Sequence, residues 1–193
     1  QGYSSAASDV YKRQLKYWAN TYEFALAGSF ICNQNDKFYN RGFFIAPGNQ
    51  IRFYDKRHLF RVGKENLSFS EGQQQTIISY KGWNICLSIC YDLRFPELYQ
   101  AMRSCDAIAV IANWPKGRVA HWNTLLPARA VETQAYVLGV NRIGKDVSLD
   151  YEASTAAYDY DGSPLSVAYK ANSYGDECLM IKIEPDHLSL IHI

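Results

Sequence analysis

Cys90 follows the apolar run Trp83-Asn84-Ile85-Cys86-Leu87-Ser88-Ile89, and the polar turn after it leads to Pro96 and then Glu97. A β-prone run, a turn, then proline and an acid is the pattern of a strand that ends at the thiol and a helix that begins just beyond it. At such an elbow a thiol is exposed at the end of a sheet. The helix behind it is expected to favour the thiolate, the form that attacks carbonyl carbon. A cysteine met alone is more often a small buried residue, so the reading needs partners. Lys56 is one candidate. It ends a second β-prone stretch, and its neighbours Tyr54 and His58-Leu59-Phe60 are apolar and aromatic, a context that keeps an ammonium away from bulk water. Attack on a carbonyl carbon through cysteine also needs a base and donors for the developing oxyanion.

The elements that position these side chains can be read from periodicity and turn chemistry. Residues 15–22 read as the end of a helix, 24–32 as a buried strand, 33–37 as a turn, 41–46 as a second strand and 47–49 as a tight turn. A third strand, 51–56, ends on Lys56. Residues 61–72 have no period and are expected to form a loop lining the site. Residues 76–80 and 83–89 form a hairpin about Lys81-Gly82. Beyond the elbow, 96–104 is a short helix with Leu98, Met102 and Cys105 inward. Residues 106–112 are a continuous apolar strand, so strand, helix and strand make a right-handed βαβ crossover. A helix over 121–134 contains Pro127, which predicts a kink or a later start. Strands are expected at 136–141, 154–158, 165–169 and 178–183, with a hairpin turn at Asp159-Tyr160-Asp161-Gly162. There is no internal repeat, linker or second domain.

The segment from Leu87 to Leu98, Leu-Ser-Ile-Cys-Tyr-Asp-Leu-Arg-Phe-Pro-Glu-Leu, resembles the nucleophile motif of the nitrilase superfamily, the carbon–nitrogen hydrolases. Upstream, Tyr54-Asp55-Lys56-Arg57-His58-Leu59-Phe60 resembles the segment carrying that family's lysine. Downstream, Ala112-Asn113-Trp114-Pro115, His121-Trp122, Ala128-Arg129-Ala130-Val131-Glu132 and Asn141-Arg142-Ile143-Gly144 match later signatures in order. The resemblance implies an α/β fold, a nitrilase-type four-layer αββα sandwich, here truncated at both ends. It makes Cys90 the nucleophile and Lys56 the stabiliser of the tetrahedral oxyanion, with the backbone N–H of Tyr91 as second donor. Glu65 resembles a second glutamate that orients the lysine or the substrate, and Glu71 is the weaker competitor. The family's general base is a glutamate ahead of the first helix pair. Glu23 stands too late for it, so no residue is assigned and the chain is expected to be catalytically incomplete. The branch most resembled is the omega-amidases, which cut the terminal amide of 2-oxo-acid amides through a thioester. No metal or organic cofactor is needed, and a homodimer is implied.

Several further residues have structural readings. Asp92 and Arg94 are expected in buried ion pairs that hold the elbow, and Arg129 with Glu132 as a pair three apart on a helix. His121 reads as a hydrogen-bonded structural histidine. Trp114 follows the C-terminal end of a strand, where ligands of such sheets bind, and is expected to wall the pocket. Lys116 or Arg118 beside it are the candidates for a substrate carboxylate.

Composition narrows the alternatives. The 193 residues are 48% hydrophobic and 15% aromatic, enough for one domain with a sizeable core, and 20 basic against 19 acidic residues give a net charge of +1. Nothing in that balance suits a nucleic-acid groove or an anionic membrane surface. No apolar run approaches the ~20 residues that span a bilayer. Five cysteines without scaffold spacing read as reduced, and the compartment as cytoplasmic. Cys86 and Cys90, four apart on one strand, are roughly 13 Å from each other and cannot share a metal ion. Residues 4–14 and 188–193 resemble the two halves of a translated sequencing adapter. On that reading the domain is 15–187, partial, with tails 1–14 and 188–193. Two other readings remain: a family member acting on a nitrile, a carbamoyl amine or another small amide, and a non-catalytic member serving as a binding subunit. A redox protein would want a C-x-x-C pair, and there is none.

Overall fold

The computed structural model describes residues 5–165, 168–171 and 177–184. Helix α1 (Ser5–Tyr22) leads into an antiparallel meander of β1 (Leu26–Gln34), β2 (Lys37–Ala46) and β3 (Gln50–Asp55). The β1–β2 turn places Asn35 and Asp36 at φ 53° and 58°, a left-handed conformation these two residue types tolerate. Next come β4 (Ile77–Tyr80) and β5 (Trp83–Ile89), joined at Lys81-Gly82 with φ positive at both positions, as a two-residue hairpin with native twist requires. A 3₁₀ turn, Cys90–Arg94, then opens onto α2 (Pro96–Gln100), β6 (Ala107–Ala112), α3 (Val119–Thr133) and β7 (Tyr136–Asn141). Strands β5, β6 and β7 are parallel neighbours, so both helices are crossovers on one face of the sheet. The small hairpin of β8 (Gly144–Lys145) and β9 (Asp150–Tyr151) precedes β10 (Ala156–Tyr158), which completes a five-stranded sheet in the order β10-β7-β6-β5-β4. Strands β11 (Ala168–Ala171) and β12 (Glu177–Met180) pair with each other.

Alternation along the strands stacks these pieces into four layers. Phe43 and Ile45 of β2 pack against Leu15 and Ala19, one turn apart on α1. Phe44 and Ala46 point the other way and meet Leu87 and Ile89 of β5, so the two sheets lie face to face. On the far side of β5 and β6, Cys86, Ile108 and Val110 pack under Leu98, Met102, Trp122 and Leu126 of the crossover segments. The order is helix, three-stranded sheet, five-stranded sheet, helices: the αββα sandwich expected. Burying Phe44, Leu87 and Ile89 between the sheets is worth about 1.5–3 kcal/mol each.

Several local expectations are corrected. Residues 15–22 are the end of a helix, as read, and that helix starts at Ser5. The one read over 96–104 is helical only to Gln100, with turns beyond, yet Leu98, Met102 and Cys105 all point inward. α3 starts earlier than foreseen, at Val119, and continues through Pro127; residues 122, 126, 130 and 133 keep one buried face across it. Of the strand read at 165–169, residues 166 and 167 lie outside the described residues and Ala168 and Tyr169 are strand, and the strand read at 178–183 ends at Met180. The β8–β9 hairpin was not foreseen because two-residue strands carry no period. Cys86 and Cys105 are packed in the core, as read, but they are joined as a disulfide with Cα atoms 6.2 Å apart, which corrects the reading of five reduced thiols. The parallel register of β5 with β6 sets Cys86 opposite Ile108, and Cys105, just before β6, packs into the same core cluster. Cys32 and Cys90 are free, and the side chain of Cys178 lies outside the described residues.

Candidate active site

Cys90 sits where β5 stops, with φ 50°. A non-glycine residue there is strained, and such strain persists where surrounding structure imposes it, commonly at functional elbows. Its Sγ is 3.9 Å from the carbonyl oxygen of Asn113, at the end of β6. Burial pushes the thiol above its ordinary range and the charge of Lys56 opposes that shift. The helix was expected to favour the thiolate; instead a single 3₁₀ turn follows Cys90, α2 is only five residues long, and desolvation outweighs any dipole so short.

Lys56 comes from the other sheet, immediately after β3, and is 3% exposed. Its backbone is tied on both sides, N–H to Asn40 O at 2.9 Å and C=O from Gly72 N–H at 2.8 Å. Its Nζ meets Glu65 Oε2 at 2.6 Å. Glu65 is held in turn: Oε2 accepts the Phe60 N–H at 2.7 Å, and Oε1 accepts from Asn40 Nδ2 at 3.4 Å. The loop 61–72 is therefore two 3₁₀ turns wrapped around this carboxylate. Glu71 faces away and pairs with exposed Arg61. Gly72 closes the loop where a Cβ would lie 2.0 Å from the backbone oxygen of Asp55. Gly72→Ala is expected to lower stability by about 3 kcal/mol, seen as a lower urea midpoint at unchanged slope. An unshifted midpoint would show that the loop does not need this close approach.

Asp92 is buried at the elbow as expected, whereas Arg94 makes no buried ion pair among the described contacts. Asp92 is fully buried, and it accepts from Tyr54 Oη at 2.8 Å, His58 N–H at 2.8 Å and Ile89 N–H at 3.1 Å, with His58 Nδ1 at 3.0 Å. Arg94 lies outside, against His121 Nδ1 and 5.8 Å from the Trp114 ring, because residues two apart in a helical turn face different ways. Arg129 and Glu132 pair at 2.6 Å as expected, and Arg129 also donates to Leu93 O at 3.0 Å.

Trp114 was expected to wall the pocket, and it lines neither of the two cavities described below. Its ring is buried in the helix-side core against Trp122, its N–H donates to Asn141 Oδ1 at 2.7 Å and its indole N–H to Arg118 O at 2.7 Å. Those bonds fix the strand end and turn its ring inward. The neighbouring residues line a cavity of about 640 Å³ instead: Pro115, Lys116, Gly117 and Arg118 on one side, Phe60 and Val62 on another, Ser148, Leu149 and Asp150 of the β8–β9 hairpin on a third. The Arg118 guanidinium lies 4.8 Å over the Phe60 ring, whereas Lys116 is paired with Glu152 at 3.5 Å. The Tyr91 ring packs on Phe60 and Phe95 beside a second cavity of about 490 Å³. The structure thus brings Cys90, Lys56 and Glu65 together, sets Tyr91 and Arg118 in the linings of two separate cavities, neither of which includes Cys90, and buries Trp114 in the core. Sequence reading missed the scaffold of Asn40, Tyr54 and Asn141, whose one signal was a polar residue within an apolar strand. Among the described residues no group of three His, Cys, Asp or Glu side chains is placed to hold a metal ion, and no helix is long and apolar enough to cross a membrane.

A cysteine at a strand end of one sheet and a buried lysine–glutamate pair carried by the other thus come together in an αββα sandwich. Residues 4–183 match the model of the carbon–nitrogen hydrolase family, and the chain belongs to that family. It is similar to the omega-amidase YafV of Escherichia coli, 41% identical over 143 residues that cover 74% of this chain and 56% of the relative. It is also similar to the 2-oxoglutaramate amidase of Bacillus subtilis, 32% identical over 145 residues, 73% of this chain and 56% of that one. The chain spans about half the length of these relatives. Among solved structures, a CN-hydrolase superfamily protein of Xanthomonas campestris, bearing an arsenic adduct in its active site, superposes with a TM-score of 0.83 at 30% identity, covering 98% of this chain and 76% of that one.

Proposed function

We propose that the protein hydrolyses a small terminal amide, a 2-oxo-acid omega-amide such as 2-oxoglutaramate, to carboxylate and ammonia. The observation that carries the reading is the Lys56–Glu65 pair held beside the Cys90 elbow. Cys90 Sγ attacks the amide carbon as its proton passes to a base, and the carbonyl electrons move onto oxygen. The Lys56 ammonium and the Tyr91 N–H hold that oxyanion. Collapse of the tetrahedral adduct expels ammonia, which takes up the proton, and leaves a thioester on Cys90. Water then attacks the thioester, giving the carboxylate and restoring the thiol. Glu65 is assigned to orient Lys56. No carboxylate of the chain is assigned as the base, since Glu65 is engaged by Lys56 and Asp92 by four contacts. The proposal follows the resemblance in placing that glutamate ahead of residue 15, with 1–14 and 188–193 as tails. A homodimer completes it, on the resemblance alone.

Relatives named omega-amidase and 2-oxoglutaramate amidase support the oxo-acid substrate, and Arg118, in the lining of the 640 Å³ cavity, is the cation proposed for its carboxylate. Arg118→Ala is expected to raise KM for the oxo-acid amide about tenfold with little change in kcat; an unchanged KM would remove Arg118 from substrate binding. The test of the whole reading is ammonia release by the full-length protein from 2-oxoglutaramate, beside glutamine and a simple nitrile. Release from the oxo-acid amide alone supports it. Silence on all three from a folded protein would leave the family standing and withdraw this activity.

A further inference from the structure

We propose that Asp92 is the positioning residue that sets the register between Lys56 and Cys90. The two reacting groups come from different sheets, and no described hydrogen bond joins them directly. Asp92 supplies the missing connection. Its carboxylate accepts from Tyr54 and from His58, the residues two before and two after Lys56, and from Ile89, the residue immediately before Cys90. It stands two residues after Cys90 itself. One fully buried anion therefore brackets both groups. Its two oxygens divide the work: Oδ2 takes Tyr54 Oη and Ile89 N–H, joining β3 to β5, while Oδ1 takes His58 N–H and faces His58 Nδ1. A carboxylate with this many donors is an acceptor only, and an amide in its place would turn an N–H₂ toward one pair of them.

The inference rests on the amidase reading only for its turnover arm. Its decisive readout is the pH profile of Cys90 alkylation by iodoacetamide, which needs no substrate. Lys56, Glu65, Asp92 and Tyr151 are the ionisable groups that act on this thiol, and Lys56 alone favours its charged form. If Asp92 were merely a nearby negative charge, Asp92→Asn would move the profile to lower pH. If it positions Lys56, loss of register draws the ammonium away and moves the profile to higher pH. We expect the second, by about one unit, with kcat falling about 30-fold and KM within about twofold. Tyr54→Phe removes one donor without altering charge, and it is expected to move the profile the same way by a smaller amount. That variant also decides the matter if Asp92→Asn fails to fold. A Tyr54→Phe profile that stays in place, or an Asp92→Asn profile that moves to lower pH, overturns the proposal. Absence of turnover in the unsubstituted protein would instead count against the amidase reading, with the alkylation comparison still deciding the role of Asp92.

Discussion

Cys90→Ala is expected to abolish ammonia release, with kcat falling by about a thousandfold or more. No other described thiol is placed to stand in: Cys86 is bonded to Cys105 under the helices, and Cys32 is buried in the outer sheet. The substitution deletes one sulfur at a partly exposed position whose backbone is held by its neighbours, so the fold should survive and the loss should reside in kcat. The resting thiol adds a pH signature. Because burial raises its pKa, the alkylation rate of Cys90 should climb as pH rises beyond the range of an ordinary thiol. Residual activity within tenfold of the unsubstituted protein would remove Cys90 as nucleophile.

Lys56→Gln should be nearly as severe, and for two separable reasons. Losing an oxyanion donor is worth about a hundred- to a thousandfold in kcat. Losing the cation also leaves Glu65, with a side chain only 14% exposed, facing an uncharged neighbour in a largely dry setting. Breaking one partner of a buried pair destabilises by about 3–5 kcal/mol, and the partial exposure of Glu65 puts this case at the lower end. The double variant Lys56→Met/Glu65→Gln removes both charges, so it should recover most of the stability in urea while kcat stays low. Recovery of both quantities together would mean that the lysine acts only through the fold.

What the sequence discloses about this site, and what it withholds, follows from the range of the forces involved. The Cys90 elbow, the Lys81-Gly82 hairpin and the apolar β6 are decided within a dozen residues by period and turn chemistry, and they stand where expected. The burial of Lys56 was also legible, because its aromatic neighbours are adjacent in the chain. Asp92 is read correctly as buried, but its partners lie up to 38 residues away across two sheets, so the sequence names none of them. Trp114 fails for the same reason. Its direction depends on Asn141, 27 residues on, which no local pattern announces. The pairing of Cys86 with Cys105 depends on the lateral register of two parallel strands, which spacing does not encode.

The division of the site between two sheets has a consequence for how its activity can change. Lys56 is carried by one leaf of the sandwich and Cys90 by the other, and the layer of Phe44, Leu87 and Ile89 acts as a shim between them. Interiors are packed too tightly to absorb a change of one methylene in place, and about 1 Å of misplacement between reacting groups is worth a hundredfold in rate. The thickness of that layer is therefore a calibration of the catalyst. Substitutions that never touch substrate, made wholly within the hydrophobic filling, can detune or sharpen the chemistry by altering the spacing of two plates.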